Sequence, residues 1–95
     1  MDILFPHHFL YDVAKSEANK AKHGIDFEAA KELWLDENRV TAPARSHREH
    51  RWIVIGELDG RIWAAIVTRR HSAIRIISVR RARKNEEEAY GRGRT

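Results

Sequence analysis

The dipeptide Asp59-Gly60 is the feature that most constrains the fold of this 95-residue chain. It separates two β-branched and aromatic segments, residues 51–58 and 61–68. Asp-Gly is typical of a type I′ turn, which needs positive φ at both central residues and joins two antiparallel strands. The sequence therefore predicts a β-hairpin, and we expect its tryptophans, Trp52 and Trp63, to belong to the core rather than to a base-stacking surface.

Short apolar segments on both sides of this hairpin predict further strands. An edge strand is expected at residues 9–11, a strand at 39–42 that Pro43 stops, and a third at 73–79, with connections at 44–49 and 69–72. The strands are apolar on both faces near their centres, so we expect both faces to be covered.

The N-terminal third has helical periodicity instead. A first helix is predicted from Asp12, with an apolar side made of Tyr11, Ala14, Ala18 and Ala21. Gly24 followed by Ile25 is the arrangement of a Schellman motif, which ends a helix.

A second helix is predicted to follow almost at once, with Asp26 as its N-cap. Its expected buried positions are Phe27, Ala30, Leu33 and Trp34. A last helix is expected over residues 80–90. The sequence thus predicts one α+β domain over residues 1–95, with loose ends at 1–8 and 91–95: an N-terminal helix hairpin packed on a mostly antiparallel sheet of about four to five strands, and a short C-terminal helix.

Composition excludes several classes of protein. There is no cysteine, which excludes a disulfide scaffold, a zinc finger and a thiol nucleophile. Dinucleotide, phosphate-loop, zinc-peptidase and hydrolase motifs are missing, and the six histidines are not spaced as a metal site, so we expect neither metal nor cofactor. No apolar segment is as long as a membrane span, and Asp2 stands where a signal peptide would be basic. We expect a soluble cytoplasmic protein without a membrane partner.

The arginines are concentrated in the C-terminal part of the chain. Residues 1–36 contain four lysines, no arginine and seven acidic residues, whereas residues 61–95 contain nine arginines, one lysine and three glutamates. A guanidinium is planar, permanently charged and bidentate toward phosphate, so this distribution indicates a phosphate-binding surface. The alternative is a solvated basic face without a ligand.

Three arginines are candidate phosphate ligands. Arg75 is expected on the opposite strand face from Ile74 and Ile76, where a fixed backbone would orient it toward a transition state, or else in an ion pair at the sheet edge. Arg80 and Arg83 are predicted on one face of the last helix, in its first turn, where cations oppose the helix dipole.

Two titratable residues have alternative roles. Glu87 could be a general base, or could pair with Arg83 as Lys84 would with Glu88, at i, i+4 spacing. His23 could cap the first helix or transfer a proton to the substrate.

Two motifs in this order resemble those of the BrnT family of type II toxins. The first is D-x-A-K-x-x-x-N-x-x-K-H-G-I-x-F-x-x-A over residues 12–30, and the second is R-I-I-S-x-R-x-A over residues 75–82, followed by an acidic position and Tyr90. The resemblance covers residues 9–90. The dipeptide His71-Ser72 departs from it, because a glycine-containing turn is expected there.

The resemblance implies a RelE-like fold and a metal-independent endoribonuclease that cleaves RNA by 2′-OH attack and inhibits translation. It also implies a hetero-oligomer with a BrnA-like antitoxin, whose ribbon-helix-helix region would bind operator DNA. On this basis Arg75, Arg80 and Arg83 are expected to clamp the phosphate and its transition state, with His23 or Glu87 transferring protons. Residues expected to bind RNA are Lys22, Arg69, Arg70, Arg81, Lys84 and Tyr90. The alternative is a non-catalytic module that binds nucleic acid or antitoxin and acts as a transcriptional co-repressor.

Overall fold

The computed structural model describes residues 8–45 and 49–93 of the chain. In chain order the elements are β1 (His8–Leu10), α1 (Val13–His23), α2 (Phe27–Ala30), a 3₁₀ helix (Lys31–Leu35), β2 (Val40–Ala44), β3 (Arg51–Leu58), β4 (Arg61–Arg70), β5 (Ala73–Arg81) and α3 (Lys84–Gly93). The expected α+β class is confirmed. None of the described helices is long and apolar enough to cross a membrane.

The sheet has five strands in the order β1-β5-β4-β3-β2. β2, β3, β4 and β5 pair antiparallel, and β1 pairs parallel with β5. The expected edge strand is thus present, and because it comes first, the prediction of a helix hairpin at the N-terminus is wrong. The second helix is also only one turn of α-helix that continues as the 3₁₀ helix.

The predicted hairpin is confirmed at its turn. Asp59 and Gly60 both have positive φ, at 53° and 77°, as a type I′ turn requires. β2 runs through Pro43 instead of stopping before it. This is possible because β2 is an edge strand, where the missing N–H of proline leaves no central ladder bond unmade. The predicted loop at 44–49 lies partly outside the described residues.

One side of the sheet, which we call the helix face, is covered by α1, α2 and the 3₁₀ helix. Phe27, Ala30, Leu33 and Trp34 are all buried there, as predicted. They pack in one core cluster with residues of β3, β4 and β5, including Trp63, and Trp52 packs against its border. The aspartate N-cap of α2 is confirmed, since the Asp26 side chain accepts a hydrogen bond from the Ala29 N–H at 2.8 Å.

The predicted apolar side of α1 is wrong for its three alanines, although Tyr11 does pack against the core cluster. Ala14, Ala18 and Ala21 are exposed, and the buried residues of the helix are Ser16 and Asn19. The Ser16 hydroxyl accepts from the Phe27 N–H at 2.8 Å. The methyl groups of alanine are too small to hold this helix against the sheet by packing alone. Instead, polar side chains of the helix form hydrogen bonds with backbone groups of neighbouring elements.

Asn19 joins α1 to β5. Its side-chain nitrogen donates to the carbonyl oxygens of Ile25 (2.8 Å) and Val79 (2.9 Å), and its side-chain oxygen accepts from the Val79 N–H (3.1 Å). β1 pairs only with residues 73–75 of β5. The amide of Asn19 therefore bonds Val79 as a further strand would, beyond the end of β1.

The end of α1 also differs in detail from the prediction. Gly24 is in the left-handed region, with φ of 83°, as expected of the residue that stops the helix. Its N–H donates to the carbonyl of Lys20 at 2.9 Å, which is the bond of an αL motif rather than of a Schellman motif. Ile25 is nevertheless buried, so the hydrophobic contact that accompanies such caps is retained.

We expect the substitution Asn19→Ala to lower the free energy of unfolding by about 3 kcal/mol, because it leaves three buried backbone groups without partners. Chemical denaturation would measure this change. Asn85→Ala, on the exposed surface of α3, is the matched control and should leave the unfolding free energy within about 0.5 kcal/mol of the wild type. An equal loss in both variants would show that the Asn19 bonds are not what seats α1.

Candidate nucleic-acid interface

The side of the sheet opposite α1 carries a row of residues that crosses all five strands. Strand register places Arg75 beside Thr68, and Thr68 beside Arg51. Residues paired across neighbouring strands point to the same side of a sheet. The whole row is Leu10, Arg75, Thr68, Arg51 and Ala44. Two guanidinium groups are thereby held on one face with a single threonine between them.

Two further arginines lie on the same side. Arg70 is two residues along β4 from Thr68, and Arg80 pairs with Ala64, which is four residues from Thr68 in the other direction. Side chains two and four residues apart in a strand share a face. We call the surface formed by Arg51, Arg70, Arg75 and Arg80 the arginine face.

A β-bulge puts Arg75 and Arg80 on this common face. Residues five apart in a regular strand point to opposite sides. Between them, however, Val67 pairs with Ile76 and Ile66 pairs with Ser78, so that β5 contains one extra residue, Ile77. The bulge restores the alternation after Ile77 and returns Arg80 to the side of Arg75.

The prediction that Arg80 and Arg83 belong to the first turn of the last helix is wrong. β5 extends to Arg81, the Ala82 N–H still bonds the Ile62 carbonyl at 2.9 Å, and α3 begins only at Lys84. The Glu86 side chain accepts from the Arg83 N–H at 2.8 Å, as in a capping box, which fixes the start of the helix at this point.

Arg80 is held by α3. Its two terminal nitrogens donate to the two carboxylate oxygens of Glu86, at 2.7 and 2.9 Å, and both side chains are largely buried. This bidentate bond is the largest cause of a lowered pKa for Glu86; burial opposes it in part, and the Arg83 N–H adds to the lowering. The same bond raises the pKa of Arg80. The predicted pairs Arg83–Glu87 and Lys84–Glu88 do not form within the described residues.

Arg75 differs from Arg80 because none of the carboxylates that the structure describes pairs with it. It is half-buried, on the opposite side from the buried Ile74 and Ile76, as predicted, and within the described ranges its guanidinium makes no ion pair. The alternative of an ion pair at the sheet edge is therefore not observed. A fixed guanidinium without a counter-ion can take an oxygen of a bound phosphate without first breaking an existing bond.

Arg51 and Glu49 are residues of this face that sequence reasoning did not identify. Glu49 lies between two arginines: one carboxylate oxygen is 3.5 Å from Arg51 Nη2 and the other is 3.3 Å from Arg70 Nη2. Arg51 Nε is buried and makes no hydrogen bond in the described part of the chain. The sequence signal that could have identified Arg51 is strand alternation: pairing β3 with β4 and β4 with β5 puts Arg51 in the same row as Arg75.

The remaining predicted residues are dispersed. His23 and Lys22 end α1, in the layer over the helix face, and Arg69 is exposed at the end of β4, where its Nε donates to the carbonyl of His71 at 3.4 Å. The Arg81 guanidinium lies 5.5 Å from the ring centre of Trp63, also on the helix face. Glu87 and Lys84 are exposed on α3.

Tyr90 is buried rather than available to RNA. Its hydroxyl donates to an Asp36 carboxylate oxygen at 2.6 Å, and the same oxygen accepts from the Glu57 N–H at 2.9 Å. Tyr90 thus ties α3 to the 3₁₀ helix and β3. Over the described residues, no group of three or more His, Asp or Glu side chains is arranged to hold a metal ion.

The Arg80–Glu86 pair predicts a pH-dependent contribution to stability. A carboxylate whose pKa is lowered by folding stabilises the protein above its ordinary pKa of 4.5, and this stabilisation is lost as the pH falls through the lower folded-state value. We expect Glu86→Gln to lower the free energy of unfolding by about 2 kcal/mol at neutral pH, since it leaves Arg80 without its counter-ion.

Denaturation of wild type and Glu86→Gln across a pH series would measure this difference, which should shrink as the pH is lowered below 4.5. Glu88→Gln, an exposed change on the same helix, is the control and should show no such trend. A Glu86→Gln deficit that is constant with pH would contradict the assignment.

Comparison with known proteins gives one family. Residues 11–86 match the model of a family described as "Ribonuclease toxin, BrnT, of type II toxin-antitoxin system". A search of curated proteins finds no match. The matched segment includes both sequence motifs, the layer over the helix face and strands β2 to β5, which carry all four residues of the arginine face; β1 and most of α3 lie outside it. The chain belongs to the BrnT family of ribonuclease toxins of type II toxin-antitoxin systems.

Proposed function

We propose that this protein is a metal-independent endoribonuclease that uses the arginine face to cleave RNA and thereby inhibits translation. The observation that carries the proposal is the placement of Arg75: it is fixed on β5, makes no ion pair with any residue that the structure describes, and lies in one row with Arg51. Membership in a family of ribonuclease toxins supports RNA as the substrate. A row of guanidinium groups on a rigid sheet is suited to a phosphodiester backbone.

The reaction requires little covalent chemistry from the protein. The 2′-oxygen of the substrate attacks the adjacent phosphorus, the bond from phosphorus to the 5′-oxygen breaks, and a 2′,3′-cyclic phosphate and a 5′-hydroxyl result. One proton leaves the 2′-hydroxyl and another reaches the departing oxygen. Negative charge increases on the non-bridging oxygens in the transition state, where fixed guanidinium groups contribute most.

Within this proposal the arginines have different roles. Arg75 is the direct phosphate ligand, with Arg70 beside it on the same face. Arg80 acts through its charge and holds α3 against the sheet, because Glu86 already occupies both of its terminal nitrogens. Arg83, exposed at the start of α3, extends the basic surface along the RNA backbone.

The proton-transfer candidates are separated by the sheet. Glu87 lies on α3, which packs against β2 and β3 on the side of Arg80, whereas His23 lies in the helix layer on the other side. The fold therefore favours Glu87 over His23 as a group that could reach RNA on the arginine face. His23 fits the alternative role at the helix end, close to Gly24.

We further propose that the antitoxin neutralises the protein by covering the arginine face. Half-buried apolar residues, Ile53 and Ile66, lie on this face next to the arginine row. A partner segment that is acidic and partly apolar would shield both kinds of surface. The expected partner is a BrnA-like antitoxin with a ribbon-helix-helix region that carries the hetero-oligomer to operator DNA.

Incubation of the purified protein with RNA in excess EDTA tests the activity. We expect cleavage to continue, with 2′,3′-cyclic phosphate and 5′-hydroxyl ends, and an oligonucleotide with a 2′-deoxy residue at the cleavage site to bind but stay intact. The assay is run on free RNA and on translating ribosomes, so that a ribosome requirement does not hide the activity. If the protein binds RNA but cleaves it neither free nor on translating ribosomes, the enzymatic function is refuted. The alternative, a non-catalytic module that acts as a transcriptional co-repressor, would then be favoured.

The substitution Arg75→Ala should reduce RNA cleavage by about 100-fold or more and abolish growth inhibition, because it removes a guanidinium aimed at the transition state. Cleavage is measured beside thermal unfolding, which should be close to that of the wild type. Arg61→Ala is the matched control: it removes the same charge from an exposed position on the helix face. Full activity of a folded Arg75→Ala variant would contradict the role of Arg75.

A further inference from the structure

Glu49 is a carboxylate held among the arginines of the arginine face. Its carboxylate contacts Arg51 on β3 through one oxygen and Arg70 on β4 through the other. Arg70 lies two residues along β4 from Thr68, which separates Arg51 from Arg75 in the row. Glu49 therefore stands at the border of the arginine row, on the face of the sheet that also carries Arg75.

The backbone next to Glu49 is fixed to the centre of this row. The Thr68 hydroxyl donates to the carbonyl oxygen of His50 at 2.8 Å. Thr68 is itself largely buried between Arg51 and Arg75. The position of Glu49 over the sheet is thus set both by its two arginines and by this hydrogen bond, although the residue precedes β3.

The other carboxylates on this side of the sheet are less suited to the role. Glu86 has only 8% of its side chain exposed, against 30% for Glu49, and it accepts the Arg83 N–H besides both terminal nitrogens of Arg80. Glu57 pairs with Ile62, one row beyond Arg80 and three rows from Arg75. Rows on one face are about 7 Å apart, so Glu57 lies roughly 20 Å from Arg75 along the strands. Glu87 is on α3, over β2 and β3.

We propose that Glu49 is the general base of this site, which accepts the proton of the 2′-hydroxyl group. This inference rests on the proposed ribonuclease function. As the bond from the 2′-oxygen to phosphorus forms, the 2′-hydroxyl proton passes to a carboxylate oxygen of Glu49. The bond from phosphorus to the 5′-oxygen breaks, and the departing oxygen takes a proton from solvent water. Arg75 and Arg51 hold the phosphate oxygens.

The surrounding charges favour this geometry. Arg51 and Arg70 each contact one carboxylate oxygen and so orient the group, while Arg75 adds a third positive charge on the same face. His50 is the next residue, and His8 lies on β1 beside Ala73, which pairs with Arg70. One carboxylate among three guanidinium groups leaves an excess of positive charge for the phosphate.

The test compares Glu49→Gln with the wild type in steady-state cleavage of one RNA across a pH series. Glutamine keeps the shape and one hydrogen-bond acceptor but cannot take the proton. We expect kcat to fall by about 100-fold or more with KM changed by less than about threefold. The acidic limb of the wild-type pH profile should be missing in this variant, and Glu49→Asp should restore the limb at reduced kcat.

Glu57→Gln is the matched control on the same face and should behave as the wild type. A Glu49→Gln variant that keeps the wild-type kcat would overturn the proposal. So would a slow variant that keeps the acidic limb, because Glu49 would then only position the arginines. Absence of cleavage by the wild type itself would refute the ribonuclease function, whereas a cleaving wild type with an unaffected Glu49→Gln variant refutes the role of Glu49 alone.

Discussion

The pairing of β5 with both of its neighbours is the constraint on which this structure depends. β4 lies along one side of β5, and on the other side β1 and then the amide of Asn19 complete the bonding. Because Asn19 is on α1, the hydrogen bonds that satisfy the strand also seat the helix layer. A buried strand edge without partners would be costly, so an asparagine replaces what a longer β1 would have provided. The helix itself needs few apolar side chains as a result.

The bulge in β5 connects this backbone arrangement to the surface charge. If Ile77 were paired as a regular strand residue, Arg80 would lie five residues from Arg75 and would point to the helix face, where apolar residues of the core pack. Because of the bulge, Arg75 and Arg80 share a face, but their surroundings differ. Arg80 has Glu86 of α3 as a counter-ion, while Arg75 makes no ion pair among residues 8–45 and 49–93. One irregularity thus brings an ion-paired arginine and one without a described counter-ion to the same face.

The two sides of the sheet differ in the residues that they carry. The helix face contains the hydrophobic core cluster, which includes Phe27, Trp34 and Trp63. The arginine face is only partly covered by α3, and its half-buried isoleucines lie beside guanidinium groups. Such a surface combines apolar area with concentrated charge, as a surface that binds both RNA and a protein partner requires. Competition between substrate and antitoxin for one face would then follow directly from the fold.

Local sequence signals determined much of the fold. The type I′ turn at Asp59-Gly60, the αL residue Gly24 and the Asp26 N-cap depend on backbone conformations that only a few residue types favour, and each was predicted correctly. The concentration of arginines, and the opposite orientations of Arg75 and Ile74, also followed from composition and strand alternation.

What only the tertiary structure decided are the features that depend on pairing between distant segments. The buried side of α1 was mispredicted. It is polar, because Ser16 and Asn19 hydrogen-bond there to backbone groups of Phe27 and Val79. The start of α3 depends on the hydrogen bond from the Arg83 N–H to Glu86. The face on which Arg80 lies depends on the bulge in β5. Glu49 and Arg51 meet Arg70 only after β3 and β4 have paired in register. No local pattern encodes these contacts, since each joins side chains to partners that the chain brings close only when the sheet has formed.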